Sequence, residues 1–131
     1  MAHLLMVGIG GFLGSCLRYM ISKLMGSFSV TFPLGTLLSN VMAGLFIGFI
    51  IGLEQNSVSI SSNTKLFLTT GLLGGLSTFS TFSLETIELF KAEKHLLSFG
   101  NIASNLGLSL CGVVLGLMSA KMLVDFLSPR L

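Results

Sequence analysis

Charge is the scarcest thing in this chain. Of 131 residues only 9% are Asp, Glu, Lys or Arg, against roughly 25% in a soluble domain. Tryptophan is absent, tyrosine occurs once, as Tyr19, and proline twice. The net charge of +2 is too small and too scattered for a nucleic-acid partner. The two histidines, His3 and His95, sit at the N-terminus and between apolar runs, so neither offers a general base, and nothing suggests an enzyme. Cys16 and Cys111 each lie inside an apolar run with no Cys/His cluster nearby. They read as small packing residues, not metal ligands. No apolar run carries a carboxylate at its middle: Glu54 closes one run, Glu85 and Glu88 come late in another, and Asp125 follows the last. A proton-coupled exporter of organic cations needs a buried acid, and this pattern argues against one.

What is present is apolar. Hydrophobic residues make up 52% of the chain and mean hydropathy is +0.94, which places it in the lipid bilayer. A spanning helix needs about 20 mostly apolar residues. Four segments qualify, over residues 3–22, 33–53, 66–90 and 96–123. The expectation is therefore a single all-α membrane domain over residues 1–131 with four transmembrane helices. The opening MAHLLMVGIGG lacks the basic region of a secretory leader and reads as the start of the first span.

Four spans put both termini on one side, together with Lys65, Lys121 and Arg130; the other side holds Arg18, Lys23, Lys91 and Lys94. Three against four is too even for the positive-inside rule to fix a direction. Either the chain inserts both ways up and pairs as an antiparallel homodimer, or the tally is incidental and the orientation single.

Small residues mark the helix faces. Thr36, Asn40, Gly44, Gly48 and Gly52 recur every fourth position, as do Gly10 and Gly14, leading to Arg18, and Gly112, Gly116 and Ala120. Such stripes let helices approach closely, and packing alone accounts for the glycines. Asn40, Asn101 and Asn105 need more, because an unpartnered amide in hydrocarbon is costly. They either join helices by hydrogen bonds or line a wet path, the role favoured for Asn40. Ser109 shares the face of Asn101 and Asn105 and joins the candidate lining.

The stretch GGLSTFSTFS, residues 74–83, is unlike a span interior. Gly71, Gly74 and Gly75 weaken the helix, and irregular backbone at membrane depth requires surrounding protein or water. A break frees carbonyls that can hold a cation such as Na⁺. Beyond it, Phe79 and Phe82 share a face, with Ser77, Ser80 and Ser83 in register beside them and Thr81 close by. Hydroxyls, amides and the positive rim of a phenyl ring can all face a small anion. The plainer alternative is that the rings pack and the hydroxyls bond back to their own helix.

Three motifs in order, GGFLGSCLRY (10–19), PLGTLLSNVMAGLFIG (33–48) and GLLGGLSTFSTFSLE (71–85), resemble the signatures of the Fluc/CrcB family of fluoride channels. The resemblance covers nearly the whole chain. It implies a dual-topology antiparallel homodimer with two pores, passing fluoride out of the cytoplasm across the cell membrane, and a central structural Na⁺ at the dimer interface. By the same resemblance the Na⁺ positions match Gly74 and Ser77, the pore phenylalanines Phe79 and Phe82, the pore asparagine Asn40, the hydroxyl track Ser80, Thr81 and Ser83, and the vestibule arginine Arg18. Many relatives have Thr at Ser77, a change of little effect if the ligand is a backbone carbonyl. Several carry a tyrosine in the fourth span, where this chain is read as having Asn101. A small dual-topology exporter of organic cations is the competing expectation, and a helical assembly factor with no transport role a third.

Overall fold

The structure is a computed structural model that describes residues 1–29 and 31–128. Arg130, one of the charges counted for orientation, lies outside the described residues. Every regular element among those described is helical. Among the described residues three helices are long and apolar enough to cross a membrane: α1 (Ala2–Met25), α2 (Leu34–Gln55) and α6 (His95–Leu127). Between α2 and α6 runs an interrupted helix. It begins as α3 (Ser62–Leu66), widens into a π-helical stretch (Phe67–Leu73), returns to α as α4 (Gly74–Leu76), breaks at Ser77 and Thr78, and resumes as α5 (Phe79–Lys91). The helix that carries the expected fourth span continues to Leu127 and includes Asp125.

The small-residue stripes decide which helices touch. α2 lies along α6, and α1 lies along the π-helical stretch and α4, with α5 against α6. A side chain on Gly44 would come within 2.7 Å of the Ser109 carbonyl, and one on Gly48 would collide with the Val113 carbonyl. On the other pair, Gly14 faces the Leu72 carbonyl and Gly75 the Gly11 carbonyl with no room for a methyl group. Backbone-to-backbone contact of this kind is what lipid-embedded helices use in place of a hydrophobic driving force.

The core is correspondingly thin. Ala43, Leu73 and Leu76 form its buried cluster, with Ile21, Met42, Ile47 and Ile50 packed around it. Large apolar side chains such as Leu4, Phe12, Val114 and Phe126 point outward. Several of the groups buried instead are polar: Thr36, Ser39, Thr78, Thr86, Ser98, Asn101 and Asn105. Burial of polar groups beneath an apolar exterior suits a bilayer, where helix–helix hydrogen bonds replace the missing water.

Two tight closures end the second span and α5. Beyond α2, the Val58 N–H donates to the Leu53 carbonyl and the Ser57 N–H to that of Glu54. Beyond α5, Lys94 N–H donates to Leu89 and Glu93 N–H to Phe90. Both are Schellman closures, and the left-handed position is filled by Ser57 (φ 68°) in one and Glu93 (φ 60°) in the other, not by glycine.

Candidate functional site

The break is held by one side chain. In an unbroken helix the Thr78 N–H would donate to the Gly74 carbonyl four residues back. Here it donates to Asn40 Oδ1 at 2.7 Å, and Asn40 Nδ2 donates back to the Thr78 carbonyl at 3.3 Å. The amide of α2 thus satisfies both backbone groups of the residue at the break. Thr78 in turn starts α5: its Oγ1 accepts the Thr81 N–H at 3.2 Å and donates to Thr81 Oγ1 at 3.0 Å. With the Thr78 and Thr81 amides diverted, the carbonyls of Gly74 and Ser77 are released from the helical ladder. Gly74 is exposed and has only the Thr69 carbonyl near its α-carbon face. Neutral carbonyls on an open surface fit a hard monovalent cation. No cluster of His, Cys, Asp or Glu among the described residues offers another kind of metal site.

Asn40 also begins a line of buried polar groups. Its Nδ2 donates to Asn105 Oδ1 at 2.9 Å. Asn105 Nδ2 donates to Asn101 Oδ1 at 2.8 Å and to the Asn101 carbonyl at 3.1 Å. Asn101 Nδ2 donates to Thr86 Oγ1 at 2.9 Å. Thr86 Oγ1 donates to the Phe82 carbonyl at 2.7 Å, while Ser98 Oγ donates to the Thr86 carbonyl at 2.9 Å.

A cavity of about 380 Å³ opens beside the break. Its wall brings together Asn40, Gly74, Ser77, Phe79, Phe82 and Ser109 of the expected residues, and adds Thr78 and Asn105. None of its lining residues is ionisable. Phe82 is buried, Phe79 is 76% exposed in the single chain, and their ring centroids are 5.5 Å apart at an interplanar angle of 58°. Ser109 Oγ is buried without a partner. α5 has its N-terminus at this wall, where the unsatisfied N–H groups favour negative charge.

Other expected residues lie elsewhere. Ser80, Thr81 and Ser83 are not part of this wall in the single chain. Ser77 lies at the break in extended conformation, so it does not share the helix face with Ser80 and Ser83 that the simple spacing had implied. Ser83 Oγ bonds back to the Phe79 carbonyl at 2.8 Å. Arg18 is half-buried on α1, away from the cavity. The α6 asparagine that faces the cavity is Asn105; Asn101, expected there, is fully buried one turn away. Glu85 belongs to a second recess of about 370 Å³, with Ser22, Thr36, Glu88 and Lys94 in its wall. There Thr36 Oγ1 donates to Glu85 Oε1 at 2.7 Å.

Sequence reasoning passed over Thr78 and Thr86. For Thr78 a signal existed: a threonine just after a glycine-weakened segment, with a hydroxyl residue three positions on, is placed like a helix N-cap. For Thr86 there was none, since the two side chains that donate to it, Ser98 and Asn101, come from α6.

Residues 5–117 match the family described as CrcB-like protein, Camphor Resistance (CrcB). The chain is 52% identical over 120 residues to the Fluoride-specific ion channel FluC of Clostridium perfringens (strain 13 / Type A), covering 91% of this chain and 94% of that one. It is 51% identical over 113 residues to the protein of the same name in Clostridium novyi (strain NT), covering 86% and 88%. A third, from Pyrococcus abyssi (strain GE5 / Orsay), is 43% identical over 117 residues, covering 89% and 94%.

Proposed function

Because this chain belongs to the CrcB-like family, a family of multi-pass membrane proteins and not of enzymes, we propose that it is a passive channel selective for fluoride. The cavity beside the break is the observation that carries this reading. A cleft at the middle of an apolar helix bundle, walled by two phenylalanines, hydroxyls and amides and by no ionisable group, suits a small anion held loosely enough to leave again. The unpartnered Ser109 hydroxyl and the N-terminus of α5 supply donors there. An exporter of organic cations finds no carboxylate in this wall, and that alternative has no support.

The ion's route out needs no fuel. Fluoride that enters as the neutral acid ionises inside, and a negative-inside potential drives the anion outward by about 2.3 kcal/mol per 100 mV. Arg18 serves as a vestibule charge that concentrates anions, and Ser80, Thr81 and Ser83 continue the polar path beyond the cavity.

The working unit is an antiparallel homodimer of four-span subunits. Three features support pairing: the near-even spread of basic residues, the exposure of Phe79, and exposed glycines such as Gly8 and Gly107, where an added side chain would meet no other part of the chain within 4 Å. A structural Na⁺ would sit between copies on the carbonyls of Gly74 and Ser77, neutralising oxygens that would otherwise repel.

Vesicles containing the purified protein test the reading. They release fluoride but not chloride under an imposed voltage, with no proton gradient. Phe79→Ile and Phe82→Ile each slow that release by about two- to tenfold, the scale of a lost ring contact. Unchanged flux in both variants would remove the rings from the mechanism.

A further inference from the structure

The polarity of the asparagine line is set at both ends by backbone. At one end the Thr78 N–H can only donate, so the amide oxygen of Asn40 must face it, and Asn40 must present its nitrogen to Asn105. At the other end the Asn101 carbonyl can only accept, so the nitrogen of Asn105 must face Asn101. The consequence is arithmetic. Both hydrogens of Asn40 go to Thr78 O and Asn105 Oδ1, and both hydrogens of Asn105 go to Asn101. Neither of the two asparagines in the cavity wall has an N–H left for an ion.

We propose that Asn101, fully buried and absent from the cavity wall, is a positioning residue that keeps these two amides turned toward protein. Its Oδ1 takes one hydrogen of Asn105, and its Nδ2 is pinned by Thr86 Oγ1. Without that oxygen, Asn105 holds a buried hydrogen with no acceptor, the costly half of a broken pair. The free hydrogen turns the amide toward the cavity, and the Asn105 oxygen then leaves Asn40. Asn40 loses its lateral support and the break at Thr78 loosens. Asn101 thus acts on the path through two other side chains without touching the ion. This rests on the cavity being the ion's path.

Three measurements test it. First, Asn101→Leu lowers fluoride flux roughly fivefold or more in an otherwise unchanged chain, and by less than about twofold when Asn40 is already Ser. Equal losses in both backgrounds mean that Asn101 acts independently of Asn40, and the proposal is wrong. Second, Thr86→Val and Thr86→Ser separate the relay from packing. Valine keeps the shape and loses the hydroxyl; serine does the reverse. The relay requires serine to conduct near the parent level and valine to fall; the opposite order overturns it. This pair also stands in if Asn101→Leu fails to fold. Third, the side-chain amide NMR signals of Asn40 and Asn105 shift in Asn101→Leu whether or not anything is conducted. Should the parent chain pass no fluoride, the channel reading fails while this readout still decides the relay; unmoved signals refute it.

Discussion

Every polar atom of the Asn40 amide meets a protein group, and this gives the residue a sharper test than its place in the wall would. In Asn40→Asp the Thr78 N–H keeps its acceptor, but a second carboxylate oxygen now faces the Thr78 carbonyl and Asn105 Oδ1. Two acceptor–acceptor contacts replace two hydrogen bonds. The variant is expected to lose about 1–3 kcal/mol of stability, read by thermal unfolding in detergent, and to conduct poorly even where it folds. The importance of Asn40 was legible in the sequence, because a mid-span amide in hydrocarbon demands a partner. Which partner was not legible: Thr78 lies 38 positions away, and only the packing of α2 against the break brings them together. Phe79 and Phe82 make the same point. Their shared face follows from helical spacing, but that one is buried and the other 76% exposed depends on where α5 meets its neighbours.

Helices here are defined by what they cannot accommodate. A valine at position 48 would drive its side chain into the Val113 backbone, and backbone cannot swing aside as a side chain can. Gly48→Val is expected to cost about 1–3 kcal/mol or more and to show as aggregation on size exclusion before any loss of conduction by intact protein. The α5 closure predicts the opposite sign. Glu93 holds a left-handed conformation that glycine adopts freely, so Glu93→Gly is expected to stabilise by about 0.5–1 kcal/mol, measured as a raised unfolding midpoint. The stripes that pair α2 with α6 were readable as every-fourth-residue patterns. The interruption of the third span was readable too, as a glycine-weakened middle, but its position was displaced. The chain opens at Ser77 and Thr78, two residues past Gly75, because that is where Asn40 and the Thr78 hydroxyl supply replacement partners. Glycine made the helix easy to open; the partners chose the point.

Taken whole, one copy leaves a half-finished surface. Phe79, Gly74 and the cavity mouth face outward together. If two copies meet there, Gly74→Cys in a chain with Cys16 and Cys111 replaced by serine forms a disulfide-linked dimer under mild oxidation; cysteine at exposed Leu4 does not. Reporter tags on each terminus are expected to appear on both sides of the membrane in similar amounts. A single-sided result would leave the near-even spread of basic residues without a consequence.

The wide-wound stretch from Phe67 to Leu73 carries one more implication. A π turn is an α-helix that has taken in a surplus residue. Removing a residue from an ordinary helix swings everything beyond it by about 100°; removing one here merely relaxes the coil, and both flanks stay where they were. Thr70 is exposed in this stretch. A version of this chain one residue shorter at that point would keep α3 and the break in register, but Gly10, seated against Phe67, Gly71 and Leu72 of the stretch itself, would have to find a new fit.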